Sequence, residues 1–234
     1  MEYVELFTGE KVPKEALELG WSSVCVAVDF PGKRTVAETL QAAVVKSDIE
    51  KNTKKAVETF DLVFVEASKE DDARKASELW NVDILYNNEL NEARDLIYNK
   101  SSGLDNVICT FMAERNIGYL INASNVLDSG GSSRVKLLGR LRQNVLLCRK
   151  YGVKVVLSNC AKDRQGLRNP LDLAAIGSLF GMTSGESVDA VSKNPLFFIQ
   201  KGLRRRDPNV LTDGLVVKEW GSQKHQGKKR QGWL

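Results

Sequence analysis

The chain has 234 residues, 42% hydrophobic and 27% charged, a balance that excludes a disordered polyelectrolyte or a membrane-embedded protein. A chain this long buries enough apolar surface to fold without disulfides or a structural metal. The net charge is +4 and the only histidine is His225, near the end, which removes Ser-His-Asp and Cys-His catalysis and histidine-based metal clusters from the body of the protein.

The opening MEYVELFTGEKVPKE is acidic and has no apolar run, so it does not read as a signal peptide. No stretch approaches the roughly 18 apolar residues of a membrane span. The segment SSVCVAV at 22–28 is short and β-branched and reads as a buried strand, and 35–46 reads as a helix. LVFV at 62–65 is the next strand, followed by a helix over 70–80 whose Trp80 reads as core. VDIL at 82–85 precedes helices over 91–98 and 104–115, and GYLI at 118–121 precedes a long helix over 134–151. VKVVL at 153–157 is a fifth strand, with helices over 171–180 and 187–191 behind it. Repeated strand-then-helix spacing argues for βα units on a parallel sheet, either a (β/α) barrel or a doubly wound sheet. No Gly-x-Gly-x-x-Gly follows the first strand, which weakens a dinucleotide fold. Residues 1–201 read as this domain. Residues 202–234, rich in Gly, Lys, Arg and Gln, read as a basic, partly flexible extension able to add one short strand near Gly214. The cysteines Cys25, Cys109, Cys148 and Cys160 form no CxxC and sit among apolar residues, as reduced core thiols of a soluble intracellular protein do.

The charge is unevenly placed. Residues 1–100 carry 13 Lys and Arg against 20 Asp and Glu, a balance of −7, whereas residues 101–234 carry 21 against 10, a balance of +11. The stretch 134–168 holds ten basic residues and one acid, Asp163. Such asymmetry suggests a polyanionic partner. On the 134–151 helix, Leu138, Leu141, Val145 and Cys148 share one stripe with Leu137 beside it. Lys136, Arg140, Gln143 and Lys150 fall opposite, toward solvent, and Arg142 and Arg149 flank the stripe, able to bury their stems and present guanidiniums. Before the helix, DSGGSSR at 128–134 offers Gly130 and Gly131 amides, Ser132 or Ser133 as cap, and Arg134, a turn suited either to an anion or to plain capping. Strand-end positions of a parallel barrel gather functional groups. There Lys162 and Arg164 follow the 153–157 strand, with Arg168 just beyond, a rim an RNA backbone could meet; an Arg168–Asp172 pair is the structural alternative. Asp29 and Glu66 could hold a divalent cation through water, the basis of a metal-dependent hydrolase reading.

Several short motifs occur in a specific order: NVDIL at 81–85, GYLIN at 118–122, LRQN at 141–144, RKYGV at 149–153, VLSNCA at 156–161, RNPLD at 168–172, Gly181-Met182 and AVSKNP at 190–195. Across residues 20–200 this series resembles the family of archaeal ribonuclease P protein component 3 and the eukaryotic 30-kilodalton subunit. Where that family commonly has an acidic residue before Ile-Asn this chain has Leu120, and Asn159 stands where a second Ser is common. The resemblance implies a TIM-like (β/α) barrel related to PHP phosphoesterases but without their metal-binding histidines. It implies an accessory subunit of the ribonucleoprotein that removes 5′ leaders from precursor tRNA, with the endoribonuclease chemistry done by the RNA and its Mg²⁺, and no catalytic residue, cofactor or metal ligand in the protein. It further implies ribonuclease P RNA and precursor tRNA as partners, a small RNA-recognition-like protein subunit pairing into a heterotetramer, and a cytoplasmic location, or a nuclear and nucleolar one in a eukaryote. Combined with the charge map, Arg134, Arg142, Arg149, Lys162, Arg164 and Arg168 are the expected RNA-binding residues, supported by Arg204, Arg205 and Arg206. The alternatives are a divergent PHP-type phosphoesterase using Asp29 and Glu66, and a barrel that serves only as an assembly scaffold.

Overall fold

The computed structural model describes residues 2–9, 13–34, 39–69, 71–95, 100–212 and 215–221. His225, Gly214 and the basic run at 222–234 lie outside the described residues, as do 35–38 and 96–99 of two expected helices. In chain order the elements are β1 (Val4–Thr8), α1 (Pro13–Glu18), β2 (Ser23–Asp29), β3 (Leu40–Val45), α2 (Ile49–Thr59), β4 (Leu62–Glu66), α3 (Asp72–Ser77) and β5 (Ile84–Tyr86). They continue with α4 (Asn106–Glu114), β6 (Gly118–Asn122), α5 (Ala123–Asp128), α6 (Gly131–Tyr151), β7 (Val155–Ser158), α7 (Pro170–Ile176), α8 (Ser184–Ala190), α9 (Lys193–Arg206) and the hairpin β8 (Val210–Thr212) with β9 (Leu215–Val216).

Strands β1 to β7 form one parallel sheet in sequence order. It curls into a nearly closed, TIM-like α/β barrel. At the seam, Thr8 pairs with Ala161, the Gly9 amide donates to the Ala161 carbonyl at 2.7 Å, and Ser158 Oγ donates to the Phe7 carbonyl. At the opposite end of the seam the α8–α9 junction takes over: the Val4 amide reaches the Val191 carbonyl and Asn194 reaches the Val155 carbonyl.

Side chains alternate across each strand, and both faces are buried because one lines the lumen and the other meets helices. Leu6, Cys25, Val44, Phe64, Ile84, Leu120 and Val156 fill the lumen. Val26, Val45, Val63, Leu85, Ile121 and Leu157 pack outward against the helices. Helix α9 closes the lumen at the N-terminal ends of the strands, inserting Phe198 and Ile199. There is no room at that contact: a side chain on Gly118 would strike the Phe198 ring, and one on Gly202 would strike the Asp61 carbonyl.

Several expectations change. Residues 40–45 are strand β3 and not helix, because LQAAVV is buried on both faces between β2 and β4 and backbone pairing outweighs the helix preference of its alanines. Residues 91–95 are not helical; Asn91, Ala93 and Asp95 are bonded by Arg140 of α6. Trp80 is half exposed, with the Arg115 guanidinium 5.1 Å from its ring centroid, and is not core. The division placed at residue 202 falls inside α9, and the stretch beyond Pro208 forms a hairpin where one strand was expected.

Candidate nucleic-acid interface

Helix α6 supplies three of the nine expected residues, Arg134, Arg142 and Arg149. Leu137, Leu141, Val145 and Cys148 are buried as the periodicity requires, while Leu138 is only partly buried. Arg140 departs from expectation. It is 2% exposed and its guanidinium bonds the Asp95 carboxylate at 2.9 Å and the carbonyls of Glu89, Asn91 and Ala93 at 2.5–2.7 Å. Residues 91–95, after the short 3₁₀ turn at Asn88–Leu90, lie against this face of α6. Gln143 and Asn144 further bond Lys100 and Ser102. The carboxyl of Asp95 feels burial acting to raise its pKa, but the Arg140 hydrogen bond brings the net shift below the usual carboxylate value.

Arg142 and Arg149 lie on the edge of α6 and are exposed. Arg142 Nε donates to the Leu179 carbonyl at 2.9 Å. Arg149 grips Glu186 through Nε at 2.6 Å and a second nitrogen at 2.8 Å, and also reaches the Gly181 carbonyl. That charge-assisted fork pulls the Glu186 carboxyl down to about 2. Glu186 closes a capping box with Thr183 at the start of α8, so Arg149 ties α6 to α8. At the other end of α6 the N-cap is Gly130, with no side-chain cap from Ser132 or Ser133. Arg134 turns back to the carbonyls of Ser129 at 2.8 Å and Leu127 at 3.1 Å, keeping its end exposed.

The loop after β7 carries the second group. Lys162, Arg164 and Arg168 are all exposed on it. Asp163 caps the 3₁₀ turn at Arg164–Gly166, and Arg168 donates to the carbonyls of Gln165 and Leu167. No Arg168–Asp172 ion pair forms among the described residues; Asn169 caps α7, with Pro170 in its first turn as the sequence indicated. Lys162 packs against Gly9 beyond β1 at the C-terminal mouth beside the seam, and the loop then runs outward until the Arg168 carbonyl accepts from Trp21, just ahead of β2.

The mouth itself is a polar network. Lys46 follows β3 and places its ammonium 2.9 Å from Asp29 and 3.8 Å from Glu66, so the two carboxylates of the hydrolase alternative share one internal cation. Its hydrogen bond to Asp29 raises the Lys46 pKa. Glu66 also accepts from Tyr86 Oη and Asn87, Asn87 accepts from Asn125, and Asn125 from Asn122. Among the described residues no group of three His, Cys, Asp or Glu converges as a metal site. Deeper in the lumen, burial pushes the Glu5 carboxyl up to about 7, with Ser158 and the Phe7 amide opposing the rise.

The run Arg204–Arg206 sits at the other end of the barrel. Arg205 forks onto Asp83, and Lys201 reaches the same carboxylate at 3.1 Å. Burial acts to raise the Asp83 pKa, but the Arg205 and Lys201 charges overcome it and hold it below the usual value. Arg206 pairs with Asp61 at 2.9 Å and bonds the Thr59 carbonyl. Arg204 is exposed. The nine expected residues thus divide into three places: the α6 flank, the β7 loop, and the sealed end.

A family model for the RNase P subunit p30 matches residues 10–207. The chain belongs to the RNase P subunit p30 family. Ribonuclease P protein component 3 of Methanococcoides burtonii is 33% identical over 68% of this chain and 62% of its own length, and that of Methanosarcina mazei is 29% identical over 90% and 89%. The chain therefore spans less than two thirds of the first of these relatives. The fold matches a chain from a cryo-EM structure of archaeal ribonuclease P with mature tRNA, with TM-score 0.72 at 18% identity, covering 98% of this chain and 100% of the other. For this p30-family barrel, periodicity could not have found Arg140 or Lys201, because what buries each is a segment distant in sequence. Asp83 had one signal: an acid within an otherwise apolar strand run.

Proposed function

We propose that this chain is an RNA-holding protein subunit of ribonuclease P, and that the particle, through its RNA, removes 5′ leaders from precursor tRNA. The match of residues 10–207 to the p30 family carries this reading. The shared name of the relatives and the tRNA-bound particle that contains a chain of the same fold support it. In this reading no side chain of the protein reacts with the scissile phosphate. The RNA does so with Mg²⁺, and the protein lowers the RNA's self-repulsion. Lys162, Arg164 and Arg168 meet phosphates at the mouth, and Arg134, Arg142 and Arg149 extend the charge along α6, their stems held by backbone carbonyls and Glu186. Arg205 and Arg206 act first as structural pins under the barrel. A small RNA-recognition-like protein subunit, paired with this chain in a heterotetramer, completes the assembly in the cytoplasm. Among the described residues no helix is long and apolar enough to cross a membrane.

The test is purification of the full chain from native extract with sequencing of the bound RNA. Enrichment of a ribonuclease P RNA is expected. Recovery of the chain without that RNA would overturn the reading.

A further inference from the structure

The N-terminal part of the chain is acidic in sum, yet the fold gathers its lysines. Between α2 and α3 lies a groove of about 930 Å³ lined by Lys46, Lys51, Lys54, Lys55, Lys69 and Lys75. Three carboxylates share the lining, Asp48, Glu50 and Asp72. Glu50 is taken by Lys54 at 2.7 Å, and Lys46 serves Asp29 and Glu66. Lys51, Lys55, Lys69 and Lys75 are exposed and form no ion pair among the described residues. The groove is therefore net positive on a segment whose overall balance is −7.

The lining says what fits there. Its one large apolar residue, Ile49, is 6% exposed, so there is no aromatic or aliphatic anchor of the kind that carries protein interfaces or inserts into lipid. Exposed ammoniums on flexible stems are point charges suited to phosphates and indifferent to base sequence. Position adds to this. Lys46 follows β3 and Lys69 follows β4, so the groove opens on the same mouth at which the loop after β7 begins, with Lys162 against Gly9. Because β7 adjoins β1 at the seam, only the ends of β1 and β2 separate the two basic arcs.

We propose that this lysine-lined groove is a second RNA-phosphate site, so that one folded RNA is held at two arcs of the barrel mouth. The proposal rests on the reading of the chain as an RNA-binding subunit and adds a surface that the charge distribution along the sequence hides.

The experiment titrates the full chain against a fluorescein-labelled RNA hairpin across a KCl series. It compares the unaltered protein with K51E/K55E/K69E/K75E, with the neutral set K51Q/K55Q/K69Q/K75Q, and with the rim set K162E/R164E/R168E. Circular dichroism confirms that each is folded. The groove reversal should weaken binding roughly tenfold or more and flatten the slope of log affinity against log salt by about 3, near 0.7–0.9 for each phosphate no longer neutralised, with the neutral set intermediate. If both groove sets bind the hairpin like the unaltered chain while the rim set loses binding, the groove proposal fails and the RNA-binding reading stands. If the unaltered chain does not bind the hairpin, both fail. Lysine-dependent binding to phosphatidylserine vesicles without any to the hairpin would likewise overturn the proposal.

Discussion

Lys46 sits between Asp29 and Glu66 at the place on the mouth where a hydrolytic barrel would need a metal, and an ammonium there neutralises both carboxylates without supplying an activated water. Replacing Asp29 with Asn and Glu66 with Gln together should therefore leave precursor-tRNA processing by the reconstituted particle within about twofold, a change too small to represent lost catalysis. A hydrolase using these two groups would lose its activity. Glu5 makes a different kind of prediction. Its folded pKa of about 7 lies above the unfolded value near 4.5, so the folded form holds the proton more tightly. The stability it contributes is fully present below pH 4.5 and is lost as the pH rises through 7, on the order of 3 kcal/mol at most. Urea unfolding against pH should show this decline, and Glu5→Gln should remove it. Arg140→Ala should cost about 2–4 kcal/mol, because it removes a side chain 2% exposed and leaves three carbonyls and the partly exposed Asp95 carboxylate without their donor. A denaturation midpoint close to that of the unaltered chain would show that the loop does not depend on this guanidinium. None of these three roles follows from spacing. The helical period turned Arg140 toward solvent, whereas a segment about 45 residues earlier in the chain covers it and leaves it 2% exposed.

Helix α9 shows what sequence reading can and cannot reach among helices and strands. The βα alternation pointed to a parallel sheet, barrel or doubly wound, and the family resemblance chose the barrel; five of the strands could be read directly, because β-branched runs bounded by polar residues have few other uses. Strand β3 was hidden by alanines, β1 by its acidic surroundings, and α9 by the arginines that made it look like the start of a tail. Those arginines face inward because strands β4 and β5 begin just after Asp61 and Asp83, buried acids with no cation on their own elements. Arg205→Ala leaves Asp83 with Lys201 alone and should destabilise the protein by about 1.5–3 kcal/mol. It should also make unfolding less steep in acid. With Asp83 held below its ordinary value, the pair's contribution is present above pH 4 and disappears as the pH falls through the folded pKa. An acid-unfolding midpoint that does not move in the variant would mean that α9 is held without the Arg205–Asp83 pair.

Across the whole molecule the same placement separates paired charge from exposed charge. One end of the barrel is closed with paired charge, and the mouth carries exposed cations that no internal carboxylate takes up among the described residues. The resemblance in the motifs located the family, and the charge count located a basic half. The fold was needed to show that Lys162, Arg164 and Arg168 are all exposed on the one loop after β7 while Arg205 and Arg206 are occupied at the other end of the barrel. If the protein acts by neutralising phosphates, its removal from the RNA should be replaceable by Mg²⁺. The most direct measurement is therefore the rate of precursor-tRNA cleavage by the reconstituted particle as Mg²⁺ is varied, with the unaltered chain and with K162E/R164E/R168E. The account predicts a loss of roughly tenfold or more at limiting Mg²⁺ that closes at high Mg²⁺, with unchanged thermal stability of the protein. Equal rates at limiting Mg²⁺ would contradict it.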